Sequence, residues 1–274
     1  MQMLAAEHIG KTYDKHSVLK DINLAVRKGE AIALVGENGC GKSTLIRILS
    51  GLTPPSQGRV SAAPGSQCAF VPDRFDKVNM TIPRYLSHMR LLGGAETEEP
   101  EPYYGLFSLG DMLDTPMKYL SKGTLQKAAV IQALTSACNI MFLDEPLSGQ
   151  DTASQYQFAR ELKKRKAAGM AIVMACHEPF LIEELADVVY QFKEGILVSG
   201  ESYVFERGRT HCIFLIEPNN ADLADELASL GVQMTVLGRL AKIEAPRDTA
   251  KALFALFAAQ NVRIVKYDET EGVC

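Results

Sequence analysis

The stretch GENGCGKST, Gly36 to Thr44, leaves the chain few folds to choose from. It follows the short apolar run AIALVG, Ala31 to Gly36, and leads into STLIRILSG, whose apolar residues recur at helical spacing and stop at Gly51 as a C-cap would. Strand, glycine loop and helix in that order are the setting in which the pattern G-x-x-x-x-G-K-[ST] cradles phosphate. Gly36, Gly39 and Gly41 let backbone N–H groups converge on phosphate oxygens, and the helix beginning near Lys42 adds its positive dipole end. Lys42 is expected to reach the β- and γ-phosphates and Ser43 to ligate Mg2+, with Asn38, Cys40 and Thr44 also in contact with nucleotide. Alkylation of Cys40 is expected to be blocked by ATP.

Two further apolar runs carry chemistry at their carboxyl ends. NIMFLDEP, Asn139 to Pro146, delivers Asp144 and Glu145 side by side, one suited to holding Mg2+ and the other to polarising an attacking water. Adjacent acids at a strand end are often only solvated; the phosphate loop is what gives this pair a task. MAIVMACHE, Met170 to Glu178, comes after the charged helix QYQFARELKKRKAAG and ends at His177, which by itself reads as structural or catalytic. Strands alternating with helices predict an α/β fold with a mostly parallel sheet, whose ligands gather at the carboxyl ends of its strands.

Between Asp73 and Lys118 the pattern turns helical in TIPRYLSHMRLLGG, with Thr81 as cap and Pro83 in the first turn, and then acidic and proline-broken in AETEEPEPYYG. We expect a helical subdomain over about 74–135 within a sheet domain spanning 1–200. From about Glu201 two halves, FLIEPNNADLADELASLGVQMTVL and LAKIEAPRDTAKALFALFAAQNVRIVKY, each run strand, helix, strand. They predict a ferredoxin-like βαββαβ domain over 201–274, read as a packing or dimerisation module because it holds no titratable cluster or glycine loop.

Composition removes several classes. A net charge of -4 over 274 residues and a pI near 5.8 give no footprint for a nucleic-acid backbone, so nucleic acid is not expected as a partner. The six cysteines show no Cys-x-x-Cys pair and are expected to be reduced thiols of a cytosolic protein. No basic-then-apolar leader opens the chain and every apolar run falls short of a bilayer span, so no signal peptide or membrane helix is expected.

The phosphate loop, then LSKGTLQK, then IMFLDEP, SGQD and a strand-end histidine, in that order from Leu4 to Ser199, resemble the nucleotide-binding domain of ABC transporters. The serine-glycine signature ahead of the acidic strand separates this family from other phosphate-loop ATPases. The resemblance implies a P-loop ATPase that binds ATP and Mg2+ and pairs with a second ABC ATPase subunit, as homodimer or heterodimer. It also implies that the chain drives a separate integral membrane permease from the cytoplasmic face of the membrane. Tyr13 matches the aromatic that stacks on adenine; Leu120, Ser121 and Gly123 match the signature that faces the partner's γ-phosphate. Asp151 matches the aspartate linking the two sites across the dimer, His177 the switch histidine on the γ-phosphate, Asp144 the metal carboxylate and Glu145 the catalytic base.

Three positions depart from the family pattern. Lys122 stands for the second signature glycine and Thr124 for the following glutamine; glycine at 122 is expected to be tolerated, arginine at 121 to abolish closure. Asp73 stands for the glutamine that helps ligate Mg2+ and senses the membrane partner. Its carboxylate can approach Mg2+ but repels the γ-phosphate, so a steep Mg2+ dependence is expected, and the acidic residue favours an exporter-like branch. The alternative functions are a soluble ABC-type ATPase and a nucleotide-dependent regulator uncoupled from transport; the coiled-coil insertion or second ATPase domain of such soluble relatives is not visible.

Overall fold

Runs that read as continuous apolar strands become the centre of a sheet buried on both faces. The computed structural model describes residues 1–93, 97–199, 211–218, 223–260 and 262–270, and divides into two compact units, Met1–Ser202 and Tyr203–Cys274. The first unit runs β1 (Gln2–Tyr13), β2 (His16–Arg27), β3 (Ala31–Val35), α1 (Lys42–Leu49), β4 (Gln57–Ala62) and β5 (Cys68–Val71). It continues through α2 (Ile82–Gly93), α3 (Glu101–Leu106), α4 (Lys122–Thr135), β6 (Ile140–Asp144), α5 (Thr152–Ala167), β7 (Ala171–Ala175), α6 (Pro179–Leu185), β8 (Val188–Lys193) and β9 (Ile196–Ser199).

Six of these strands form one sheet in the order β5-β6-β7-β3-β8-β9, parallel throughout except for the antiparallel edge β9. Every residue of β3, β6 and β7 is buried, which is why AIALV, IMFLD and AIVMA carry no alternation. A second sheet, β2-β1-β4, is antiparallel, and a shared apolar core including Ile9, Leu24, Leu34, Ile46 and Phe142 spans both sheets and α1. This α/β sheet is the expected fold.

Helix ends obey local chemistry. α1 stops in a Schellman motif: the N–H of Gly51, in the left-handed region at φ 78°, donates to Ile48, and that of Leu52 to Arg47. α2 begins at Ile82 with Pro83 in its first turn, and the Thr81 carbonyl accepts from Tyr85 N–H. The acidic stretch expected to be merely proline-broken contains α3, whose Pro102 lies in the first turn, where its missing N–H costs nothing. The helical elements α2, α3 and α4 lie between β5 and β6 in sequence, where the subdomain is expected.

The second unit contains β10 (His211–Glu217), α7 (Leu223–Ser229), β11 (Gln233–Leu237), β12 (Leu240–Pro246), α8 (Arg247–Ala259) and β13 (Arg263–Thr270). The antiparallel order β11-β12-β10-β13 is that of a ferredoxin-like βαββαβ sheet. Phe214, Leu227, Ile243, Leu253 and Phe257 fill its own core, with Phe214 edge-on to Phe257 at 5.2 Å. The boundary expected near Glu201 lies outside the described residues.

Candidate functional site

The parallel order of β5, β6, β7 and β3 brings four strand carboxyl ends and their loops to one side of the sheet. A cavity of about 240 Å3 opens there, lined by Asn38, Gly39, Gly41, Lys42, Ser43, Thr44, Asp73 and Glu145. Gly39 and Gly41 take φ values of 82° and 116°, which side-chain-bearing residues rarely adopt, and a Cβ on Gly41 would stand 2.9 Å from Leu19 Cδ2. The loop therefore folds against β2 only with glycine at 41. Lys42 is buried, and its Nζ donates to the carbonyls of Gly36 at 2.7 Å and Glu37 at 3.0 Å. That ammonium is poised at the cavity with two carbonyl bonds it can exchange for phosphate oxygens.

Asp144 is 2% exposed, and its Oδ1 accepts a hydrogen bond from Ser43 Oγ at 2.8 Å. Burial pushes its carboxyl above the ordinary range, opposed by the Ser43 bond. Glu145, immediately past β6, takes φ 48°, an unusual value for a residue with a side chain, and its N–H donates to the Ala175 carbonyl at 2.8 Å. This turn separates two adjacent acids: one stays with Ser43, the other faces the cavity. Burial first, and then the charge of Glu178, push the Glu145 carboxyl up to about 7.

The third strand ends at Ala175, earlier than expected, so His177 lies in the connection to α6 rather than at a strand end. Pro179 starts that helix, with Glu178 extended ahead of it. His177 Nε2 lies 3.1 Å from Asn38 Oδ1 and 3.2 Å from Glu145 Oε1. When Glu145 is ionised both neighbours are acceptors, an arrangement that suits the tautomer with its proton on Nε2. Burial and the Lys42 charge lower the imidazole pKa, which favours the neutral ring.

The signature residues have structural duties of their own. Ser121 caps α4, its Oγ accepting from Thr124 N–H at 3.1 Å and lying 2.8 Å from Thr124 Oγ1. A Cβ on Gly123 would come within 1.9 Å of the Gly149 carbonyl oxygen, so glycine is required where α4 meets the loop after β6. Asp151 caps α5 through Ser154 N–H at 2.9 Å and accepts from Lys127 Nζ at 2.6 Å. The Lys127 bond, together with the weaker effect of the cap, holds the Asp151 carboxyl well below the usual range. Lys122, expected to be an idle departure, donates from Nζ to Asp73 Oδ1 and to Ser148 Oγ, both at 2.8 Å.

Two expectations change. Cys40 is not among the residues lining the cavity: its side chain packs against the hydrophobic core, and its thiol would lie 3.1 Å from a Cβ on Gly36. The side chain of Cys40 is thus a packing group. Asp73 lines the cavity as expected, yet its charge is not free to repel phosphate, since Lys122 is bonded to it. Tyr13 lies at the end of β1, 48% exposed with Lys11 Nζ 4.9 Å from its ring centroid, and is not among the residues lining the phosphate cavity. Its strand partner His16 precedes Val18, which packs on Gly41. Glu178 escaped the sequence reading: its Oε2 is buried with no hydrogen-bond partner among the described residues. Its place directly after His177 was the available signal.

The donors near the cavity suit a hard cation. Ser43 Oγ and the Asp144 carboxylate are oxygens only, and Mg2+ is commonly held by one or two carboxylates together with substrate phosphates. No group of three or more His, Cys, Asp or Glu able to hold a metal occurs among the described residues, as expected if phosphates complete the coordination.

Residues 19–148 match the family described as ABC transporter. The zinc import ATP-binding protein ZnuC of Yersinia pseudotuberculosis serotype I (strain IP32953) is 33% identical over 230 residues, covering 82% of this chain and 88% of that protein. The protein of the same name from Cereibacter sphaeroides is 32% identical over 205 residues, covering 73% and 83%. Among solved structures, one described as the ATP binding subunit of an ABC transporter aligns with a TM-score of 0.65 at 24% identity, over 84% of this chain and 93% of that one. The dimeric post-hydrolysis state of the ATP-binding cassette MJ0796 bound to ADP and Pi aligns with a TM-score of 0.64 at 20% identity, over 71% and 96%. At these identities the two structures speak for the fold.

Proposed function

The chain belongs to the ABC transporter family of ATP-binding subunits, and from the geometry of its phosphate cavity we propose how it hydrolyses ATP and passes the energy to a membrane permease. The observation that carries this reading is the meeting of Lys42, Ser43 and Glu145 on one cavity, with Asp144 bonded to Ser43 and His177 beside Glu145. Lys42 exchanges its bonds to Gly36 and Glu37 for the β- and γ-phosphates. Ser43 and Asp144 hold Mg2+, which when bound neutralises phosphate charge. Glu145 takes a proton from the water that attacks the γ-phosphorus, the bond to the leaving ADP oxygen breaks, and His177 donates from Nε2 toward the γ-phosphate. In the nucleotide-free chain Asn38 and Glu145 hold that nitrogen, and the γ-phosphate takes their place.

A second ATP-binding subunit, either another copy or a related chain, completes the site by presenting the α4 N-terminus at Ser121 and Gly123 to the opposite ATP. The permease in this reading is a separate chain; among the described residues no helix is long and apolar enough to cross a membrane. Its seat is a groove of about 640 Å3 lined by Arg47, Leu52, Phe70, Phe75, Val78 and Tyr85, which runs alongside the segment carrying Asp73. The relatives' names speak of import, so the export expectation drawn from Asp73 has no support in them and is set aside.

Two assays test the reading. Purified chain should hydrolyse ATP in a Mg2+-dependent manner, Lys42→Ala should abolish this, and the tagged chain should co-purify with a multi-span membrane protein from solubilised membranes. An active chain that brings down no membrane protein would point to an uncoupled ATPase instead.

A further inference from the structure

One ammonium joins three loops at the wall of the phosphate cavity. Asp73, the second residue past β5, lines that cavity and receives Lys122 Nζ on Oδ1 at 2.8 Å. Lys122 opens α4, and the same Nζ donates at 2.8 Å to Ser148 Oγ in the loop between β6 and α5. Arg74 faces the other Asp73 oxygen at 3.7 Å, beyond hydrogen-bond range. The side chains of Asp73 and Lys122 are 38% and 47% exposed. An ion pair this open to water stabilises a fold by about 0–1 kcal/mol, so folding alone does not account for the arrangement.

Charge at the cavity does account for it. Asp73 adds a carboxylate to a cavity that Glu145 also lines, with Asp144 bonded to Ser43 beside it. A polyphosphate brings further negative charge to the same space. The pair also joins two of the three departures from the family pattern noted in the sequence, a new carboxylate and a new ammonium 49 positions apart.

We propose that Lys122 is a positioning residue for nucleotide within its own subunit, acting through Asp73: it cancels the Asp73 charge and holds that carboxylate against the cavity wall, so that the two residues work as one unit. Lys122 therefore matters only while Asp73 is charged. This rests on the reading that the cavity binds ATP.

The test is a double-substitution cycle read by calorimetric titration with ATP, once in EDTA and once with Mg2+, and by thermal unfolding without nucleotide. Lys122→Gly should weaken ATP binding in EDTA by about tenfold, as expected for an uncompensated carboxylate on the wall of a cavity that takes polyphosphate. In the Asp73→Gln background the same substitution should change affinity less than about twofold, the mark of coupled residues. Lys122→Arg should retain wild-type affinity, the coupling should shrink as salt rises, and melting temperatures should show no matching coupling. Lys122→Gln repeats the cycle if the glycine variant fails to fold. A tenfold loss that persists in the Asp73→Gln background would mean that Lys122 acts independently of Asp73, and no loss with Asp73 present would remove its role; either overturns the proposal. Wild-type chain that binds no ATP would instead overturn the nucleotide reading beneath it.

Discussion

Glu145 Oε1 and His177 Nε2 meet at 3.2 Å, bringing together the segments that leave β6 and β7. The contact places a carboxyl of pKa about 7 beside an imidazole whose pKa burial has lowered, so near neutral pH one is about to lose a proton and the other carries no charge. A base tuned to the working pH combines a useful population of the ionised form with a real affinity for the proton it must take.

The ATPase rate should consequently rise with pH through about 7 as Glu145 ionises. A steady-state pH series reads this; a profile flat from pH 6 to about 8.5 would take Glu145 out of the role of base.

Stability should respond with the opposite sign. Glu145 has its folded pKa raised from 4.5 to about 7, so its contribution is full below 4.5 and falls as pH rises through 7. Glu145→Gln removes that loss. The variant should melt a few degrees above wild type at about pH 8 and match it near pH 4.5 in nucleotide-free scanning calorimetry.

Gly123→Ala should damage the chain even though alanine is the better helix former. Its Cβ would stand 1.9 Å from the Gly149 carbonyl, and relief requires α4 and the loop after β6 to part. We expect a loss of about 1–3 kcal/mol in urea unfolding, together with reduced turnover. An alanine variant at least as stable as wild type would show that the close approach is not needed.

Asp151→Ala should destabilise by about 1–2 kcal/mol by uncapping α5, and it leaves buried Lys127 with only the Phe107 carbonyl at 2.9 Å. The folded Asp151 pKa lies below its ordinary 3.8, so this contribution is present above about pH 4 and fades as pH falls further. The gap between the two proteins in denaturant melts should therefore be smaller at about pH 3 than at pH 7, without closing; an unchanged gap would assign the effect to packing.

Much of this was legible in the residues, for physical reasons. AIALV, IMFLD and AIVMA lack alternation because both faces of a parallel sheet are covered, so their order and the glycine loop were enough to foresee the α/β fold and the meeting of Lys42, Ser43, Asp144 and Glu145. Side-chain direction in a loop carries no such periodicity, which is why Cys40 was expected in the cavity and packs against the core. Lys122 and Asp73 each looked like a separate defect. Their opposite charges were the clue, but only the return of the chain from β5 to α4 brings residues 49 positions apart to 2.8 Å. Gly123 was read as a phosphate contact, while its need for glycine within one subunit comes from Gly149, a neighbour no local pattern announces.

Glu145 is proposed as the base whose proton transfer ends the ATP-bound state. The direct measurement is size-exclusion chromatography with light scattering of Glu145→Gln in ATP and Mg2+, alongside its ATPase rate. Turnover should be negligible and a dimer should form with ATP and persist, whereas ADP should leave the protein in its nucleotide-free state. A Glu145→Gln protein that hydrolyses ATP at the wild-type rate and shows no ATP-dependent change in mass would contradict it.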